Sequence, residues 1–304
     1  MNIFVTGARG VLGRTVTRLL VDSGHTVRAL ARNSNTEARL RDAGVQPVHA
    51  SLFDPSSLRT AVRDCDAILH LATRIPAPAD APRREAWKEN DRIRAEGTRN
   101  LVDAALEARV STLLYPGIVF VYPDRGAAWL DESTPTSPTA TLQSSLKAEA
   151  EVERFTREGN RGIVLRMGGF YGPTAGSSKN MLRMARYGVA TFFGRSKAYQ
   201  PLIWVDDAAL AVFDALGKAS AGIYNIVDDE PMQKRELARA LAESLDHRWL
   251  LRPPRFYFRV VAGRHAIFMM RSQRVSNQKF RNETGWAPMI ASAKMGFRLL
   301  SIPP

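Results

Sequence analysis

An apolar run, Ile3-Phe4-Val5, passes directly into Thr6-Gly7-Ala8-Arg9-Gly10-Val11-Leu12-Gly13. The run has the length of a buried strand. Val11, Leu12, Val16, Leu19 and Leu20 then fall mostly on one face of a helix. A strand that stops, turns without side chains in the way and starts a helix leaves backbone N–H groups facing outward at the helix N-terminus. Such a concave, partly positive surface suits a pyrophosphate. The opening of the chain therefore predicts dinucleotide binding.

Apolar runs and helical patterns alternate from there. Strands are expected at 3–5, 26–30, 47–49, 67–71, 112–115 and 162–165, and helices at 10–23, 36–43, 55–63, 85–108 and 143–158. Asp54-Pro55 marks one helix start, a capping residue followed by proline at the first helical position. This spacing predicts an α/β fold, a Rossmann-type doubly wound parallel sheet with a smaller C-terminal substrate-binding subdomain. The expected division is 1–170 for the dinucleotide-binding part and 171–304 for the subdomain. A late strand or helix near 200–230 should return to the sheet. Proline-rich loops at 74–82 and 123–138 follow strand ends, where loops over a ligand are rooted.

The 304 residues, 45% apolar, suffice for a sizeable core. One cysteine, Cys65, excludes an internal disulfide framework and fits a reducing cytoplasm. No secretory signal is evident, and the apolar segment at 256–270 is broken by Arg259, Arg264 and His265, so no membrane span is expected. No metal is expected either. The formal charge is +13, and from His247 to Arg281 there is no acidic residue among nine Arg and Lys. That segment is either a solvated face or a docking surface for an anionic substrate or acidic carrier protein. Nucleic acid is disfavoured, because no helix-turn-helix, zinc or RNP pattern accompanies the charge.

Ordered landmarks follow the glycines: His70-Leu71-Ala72, Glu96-Gly97-Thr98-Arg99-Asn100-Leu101, Val121-Tyr122-Pro123, Leu165-Arg166, Tyr171-Gly172-Pro173, Trp204-Val205-Asp206-Asp207-Ala208-Ala209 and Gly285-Trp286-Ala287-Pro288. With these the chain resembles the extended short-chain dehydrogenases/reductases of the NAD-dependent epimerase/dehydratase group over nearly its whole length. The resemblance implies hydride transfer assisted by Ser/Thr, Tyr and Lys. The phenol is then the acid/base, and a lysine four residues later on the same helix lowers its pKa and holds the nicotinamide ribose.

This chain departs from that pattern. The matching segment is Gln143-Ser144-Ser145-Leu146-Lys147, which keeps the lysine and puts an amide at the tyrosine position. An amide donates hydrogen bonds but does not cycle a proton near neutral pH. The serine position, four residues before Tyr122, is Ile118. The catalytic candidates are therefore Lys147, Gln143 and Tyr122, with Tyr171, Ser144 or a relay from Lys147 through water as substitutes. Ser144 is expected to face solvent or cap its helix.

For the cofactor, the resemblance implies contacts from Gly7, Arg9, Gly10, Val11, Leu12 and Gly13 in the turn, and from Leu71, Ala72 and Thr73 after the fourth strand. It also implies Lys147, and Gly169 with Phe170 beyond the sixth strand. NAD-preferring relatives end the second strand on a carboxylate; here Arg32 stands there, and with Arg9 it suits a 2′-phosphate, favouring NADP(H) over NAD(H). Ser51 replaces an adenine-contacting aspartate, which leaves the Leu52 backbone for adenine.

Three functions stay open: an oxidoreductase or epimerase with a substituted acid, a non-redox isomerase, cyclase or lyase, and a nucleotide-sensing binding protein. Met181, Met184, Tyr187, Phe192, Phe193, Tyr199 and Trp204 suit a hydrophobic substrate, although at least half are expected in the core. The partner is expected to be a small molecule, and the protein a homodimer or monomer. Charged outer faces on helices 85–108 and 143–158 argue against a tight apolar dimer.

Overall fold

The structure is a computed structural model describing residues 1–77, 80–81, 83–253 and 264–301. The first half alternates as β1 (Asn2–Thr6), α1 (Val11–Asp22), β2 (Thr26–Ala31), α2 (Ser34–Asp42), β3 (Gln46–His49), α3 (Pro55–Ala61) and β4 (Ala67–His70). Next come α4 (Lys88–Arg92), α5 (Thr98–Glu107), β5 (Thr112–Ile118), β6 (Trp129–Leu130), α6 (Gln143–Arg157) and β7 (Arg161–Met167). Beyond lie β8 (Gly169–Tyr171), α7 (Gly176–Arg186), β9 (Tyr199–Gln200), β10 (Leu202–Trp204), α8 (Val205–Lys218) and β11 (Gly222–Ile226). The chain closes with β12 (Met232–Gln233), α9 (Lys234–Ser244), β13 (Arg274–Val275), α10 (Gln278–Thr284) and α11 (Ala293–Ser301).

Seven strands form one parallel sheet in the order β3-β2-β1-β4-β5-β7-β11. Its two faces bury separate cores. Ile3, Val5, Val16, Leu20, Leu69 and Val212 pack between the sheet and α1 and α8. Phe4, Ile68, Leu101, Leu113 and Phe155 pack on the α3, α5 and α6 side. Strands covered on both faces need continuous apolar runs, which is why these segments do not alternate. The strand order reverses between β1 and β4, so a crevice opens at the carboxyl ends of those strands.

Some segments differ from their sequence pattern. β5 runs on to Ile118 because Pro116, Gly117 and Ile118 stay in register with Leu165, Arg166 and Met167, although a Pro-Gly pair ordinarily ends a strand. The helix expected over 85–108 has three hydrogen-bonding patterns: a 3₁₀ turn, then α4, then a π-helical turn at Ile93–Gly97, then α5. Widening the helix there turns Arg94 into the interior, 3% exposed, and sets Gly97 against Leu52. A second, smaller layer carries the parallel pair β8–β10 with α7, α9 and α11. Tyr171, Trp204 and Phe297 meet there edge to face, with Tyr171 centred 5.3 Å from Trp204 and 5.8 Å from Phe297. The Asp207 carboxylate accepts from the N–H groups of Met289 and Ile290 at 3.0 and 2.9 Å, tying the C-terminal segment to α8.

Two stability predictions follow from the β1–α1–β4 seam. A methyl group at Gly13 would stand 2.1 Å from the Gly7 carbonyl oxygen, whereas one at Gly176 meets nothing within 4 Å. Gly13→Ala should lower stability by about 2–3 kcal/mol in urea titration, with Gly176→Ala within about 0.5 kcal/mol of the parent. His70, fully buried, is pushed down to about 4 from 6.5 by burial. Between those values the unfolded chain binds the proton and the native chain does not. Stability present above pH 6.5 is thus lost as pH falls through 4, by at most about 1.4 kcal/mol per pH unit. His70→Gln should flatten that acid limb.

Candidate functional site

The turn after β1 is built for close approach. Gly7 adopts φ +73°, and a Cβ on it would lie 2.6 Å from the Ala72 nitrogen and from the Leu71 carbonyl carbon. The Gly10 N–H donates to the Gly7 carbonyl at 2.8 Å. Gly10 is the N-cap of α1, no side chain caps that end, and no acidic residue lies in its first turn. Leu12 and Gly13 are buried beneath the turn, Val11 is half-buried at its rim, and Arg9 is exposed. First-turn N–H groups without a side-chain cap, in a hollow that any Cβ would fill, fit an anionic diphosphate. Beside them, Thr6 Oγ1 accepts from the Ala72 N–H at 3.3 Å and lies 2.7 Å from His70 Nδ1. Leu71 is buried, Ala72 half-buried and Thr73 exposed at the mouth.

Across the crevice, exposed Arg32 directly follows β2. Asn33 caps α2, accepting from the Thr36 N–H at 2.9 Å, and Thr36 Oγ1 accepts from Arg9 Nη1 at 3.1 Å. The glycine turn and the start of α2 thus bring two arginines to one rim. Ser51 Oγ accepts from the Phe53 N–H at 3.2 Å, which spends the side chain on its own turn. The Leu52 carbonyl accepts from Asn100 Nδ2 at 2.9 Å. Sequence reading missed Asn100 as the residue that fixes this loop, although it lies within the Glu96–Leu101 landmark.

The catalytic candidates differ in burial. Gln143 and Lys147 are both exposed on α6, whereas Ser144, Ser145 and Glu149 are buried. Ser144 neither faces solvent nor caps its helix: its hydroxyl donates to Asp91 Oδ1 at 2.6 Å, and Asp91 also pairs with Arg84 at 2.5 Å. The Tyr122 hydroxyl is fully buried, donating to Asn225 Oδ1 at 2.9 Å and accepting from Arg166 Nη1 at 2.8 Å; burial pushes its pKa up. Tyr171 donates to Asp228 Oδ2 at 2.9 Å, again buried and again pushed up. Ile118 is half-buried at the end of β5, and Gly169 and Phe170 are half-buried at the start of β8. Of the substrate-side candidates, Met181, Phe192 and Trp204 belong to the core, and Tyr187 is 79% exposed.

Arg166 and Glu149 form an ion pair that sequence reading missed, bidentate at 2.7 and 3.2 Å with both side chains at most 6% exposed. Gly117 makes room for it, since a Cβ there would stand 2.9 Å from Glu149 Oε1. Burial pushes the Glu149 carboxyl up, and Arg166 pulls it back.

Five cations of the basic C-terminal segment are engaged by the chain itself. Arg271 donates to the carbonyls of Tyr122 and Ser137 at 2.7 Å each, and Arg252 to that of Gly194 at 3.1 Å. Arg274 lies over the Trp129 ring, Lys279 donates to the Ile223 carbonyl, and Arg281 pairs with Asp229. Arg255 and Arg259, part of the expected docking surface, lie outside the described residues, as do Pro78, Ala79 and Pro82 of the first proline-rich loop. No helix among the described residues is long and apolar enough to cross a membrane.

The model of the NAD dependent epimerase/dehydratase family matches residues 3–227. The 3-diazoavenalumate denitrifying reductase of a Streptomyces species is 29% identical over 310 aligned positions, 97% of this chain and 99% of its own. A 2-alkyl-3-oxoalkanoate reductase of Stenotrophomonas maltophilia is 30% identical, with 79% of this chain and 74% of its own covered. In three dimensions the chain superposes on human epimerase family protein SDR39U1, crystallised with NADPH, at a TM-score of 0.84 over 99% of both chains, with 23% identity. A glycine turn of that geometry, a parallel sheet of that order and those matches place this chain in the NAD-dependent epimerase/dehydratase family of NAD(P)-dependent oxidoreductases and epimerases.

Proposed function

We propose that this chain is an NADP(H)-dependent reductase passing a hydride to a small, electron-poor acceptor, with a diazo compound as the class that fits it best. The observation that carries the reading is Tyr122. It is the candidate phenol from the loop after β5, and its hydroxyl is spent on Arg166 and Asn225 beneath the surface. With an amide at position 143 as well, neither Tyr122 nor the position four residues before Lys147 offers a free phenol to protonate an alkoxide as it forms. Acceptors that need no such proton are the ones this site suits. The Streptomyces relative, by its name a denitrifying reductase of a diazo compound, supports that class.

Residues for the nucleotide are at hand. The Gly7–Gly13 turn holds the pyrophosphate, and Arg9 and Arg32 take the 2′-phosphate through forked hydrogen bonds. Leu52 packs the adenine side. Leu71, Ala72 and Thr73 line the path toward Gly169 and Phe170, where the nicotinamide half belongs. When bound, the reduced nicotinamide would supply a hydride, whose electron pair would make the new C–H bond at a diazonium carbon while N₂ leaves with the electron pair of the broken C–N bond. Tyr122 keeps the β5 loop packed against β11 and takes no part in proton transfer.

Calorimetry should give NADPH a micromolar Kd, with NADH weaker by at least about tenfold. Arg9→Ala/Arg32→Ala should erase that difference while leaving NADH binding within about twofold. No heat from either nucleotide at millimolar concentration would end the reading. Stopped-flow mixing of the NADPH complex with an aryl diazonium salt should then show loss of dihydronicotinamide absorbance matched by N₂ release. Oxidation of NADPH by simple ketones but not by the diazonium salt would refute the substrate class.

A further inference from the structure

We propose that the acceptor side of the crevice is an apolar wall made by Ile118, Phe120 and Phe268, and that its two aromatic rings select an aryl acceptor by stacking. The wall rests on the reading above for where the nicotinamide half lies, and it names the part of the acceptor that the site recognises.

Topology places the first two residues. β5 lies between β4 and β7 in the sheet. Its carboxyl end therefore stands between Leu71–Thr73, which follow β4, and Gly169–Phe170, which follow β7. That edge of a parallel sheet is where ligands bind. From Thr112 to Tyr122 every residue is buried except Ile118 and Phe120, which are half-buried. A 3₁₀ turn at Val119–Val121 produces the exception: both valines enter the core and Phe120 between them is left at its margin. The Phe120 ring reaches β8, its Cζ standing 3.5 Å from where a Cβ on Gly169 would lie. Ile118 occupies the serine position, so none of the three side chains can donate a hydrogen bond to an acceptor oxygen.

Phe268 reaches the same place from the C-terminal segment. It is half-buried, and its ring centre lies 5.5 Å from that of Phe120 with the planes tilted by 55°. Two cations fasten the backbones that carry these rings. Buried Lys234 donates through Nζ to the carbonyls of Met269 and Arg271 at 2.7 and 3.2 Å, just beyond Phe268. Arg271 Nη1 donates in turn to the carbonyls of Phe120 and Tyr122 at 3.5 and 2.7 Å. Burying an ammonium on carbonyls costs free energy that the two hydrogen bonds offset only in part. What the chain gains is a fixed angle between the rings. Two rings tilted in this way make a corner that offers a third, flat ring a face and an edge, the arrangements aromatic rings prefer. A saturated acceptor of the same size gains only buried area there. The difference is about fivefold in affinity for each ring contacted.

Calorimetry on the NADPH complex tests the wall without turnover. Naphthalene-2-carboxamide should bind at least fivefold tighter than decahydronaphthalene-2-carboxamide, its saturated counterpart. Phe120→Leu and Phe268→Leu keep the apolar bulk and lose a ring. Each should cut that ratio at least threefold while leaving the NADPH Kd within twofold of the parent. In aryl diazonium reduction each should raise KM about fivefold at unchanged kcat, the mark of lost acceptor binding. Phe268→Tyr, which keeps a ring, should hold the parent ratio. A parent ratio below fivefold, or a leucine variant that cuts it less than threefold, would overturn the proposal. Should Phe120→Leu fail to fold, Phe268→Leu decides, because Phe268 is half-buried on a 3₁₀ turn off the sheet. Ring-dependent binding of the naphthyl amide without diazonium turnover would refute the substrate class and leave the wall standing. Diazonium turnover with a ratio indifferent to both rings would do the reverse. If NADPH gives no heat, both fall together.

Discussion

The contact between the Gly7 carbonyl and the backbone of Gly13 is the constraint on which the rest of the structure depends. Because nothing but hydrogen projects from either α-carbon, α1 starts against the strand it follows, and the turn presses on the backbone of Leu71 and Ala72. That approach joins β1 to the end of β4 through Thr6, His70 and Ala72. It lies where the strand order reverses between β1 and β4, at the mouth of the crevice. The seam's cost is a histidine buried without charge, which ties the same contact to acid stability.

On the other side of the crevice the interior is polar, an unusual choice beneath a parallel sheet. Glu149, Arg166, Tyr122 and Asn225 run as one hydrogen-bonded chain from α6 through β7 to β11. Gly117 is the concession that lets the carboxylate in. Buried pairs of this kind contribute little net stability but hold geometry, since removing one partner strands the other. Here the geometry held is the way α6 packs on β5 and β7. A tyrosine committed to that chain is a structural member.

In the basic C-terminal segment, charge composition alone does not say what the cations touch. Nine cations without a carboxylate among them suggest an outward-facing surface. Yet Arg252, Arg271 and Lys279 donate to backbone carbonyls, Arg274 covers an aromatic ring, and Arg281 reaches an aspartate that lies outside the segment. Long side chains allow this, because guanidinium and ammonium groups satisfy carbonyls far away in sequence while their stems pack. These five cations pin loops and elements of the chain itself.

The sequence alone determined the features set by local rules. Gly-x-x-Gly-x-x-Gly after an apolar run marked a tight strand-to-helix turn, and the alternating runs marked a parallel sheet. Asp54-Pro55 marked a helix start because capping is a matter of adjacent residues. What the tertiary structure decided was orientation. Whether Lys147 or Ser145 looks inward depends on how α6 is rotated, and that rotation is set by Glu149 meeting Arg166, seventeen residues away on another element. Arg94 was invisible for a related reason: a π-helical turn shifts the face its residues present, and a periodicity of 3.6 carries no sign of that shift.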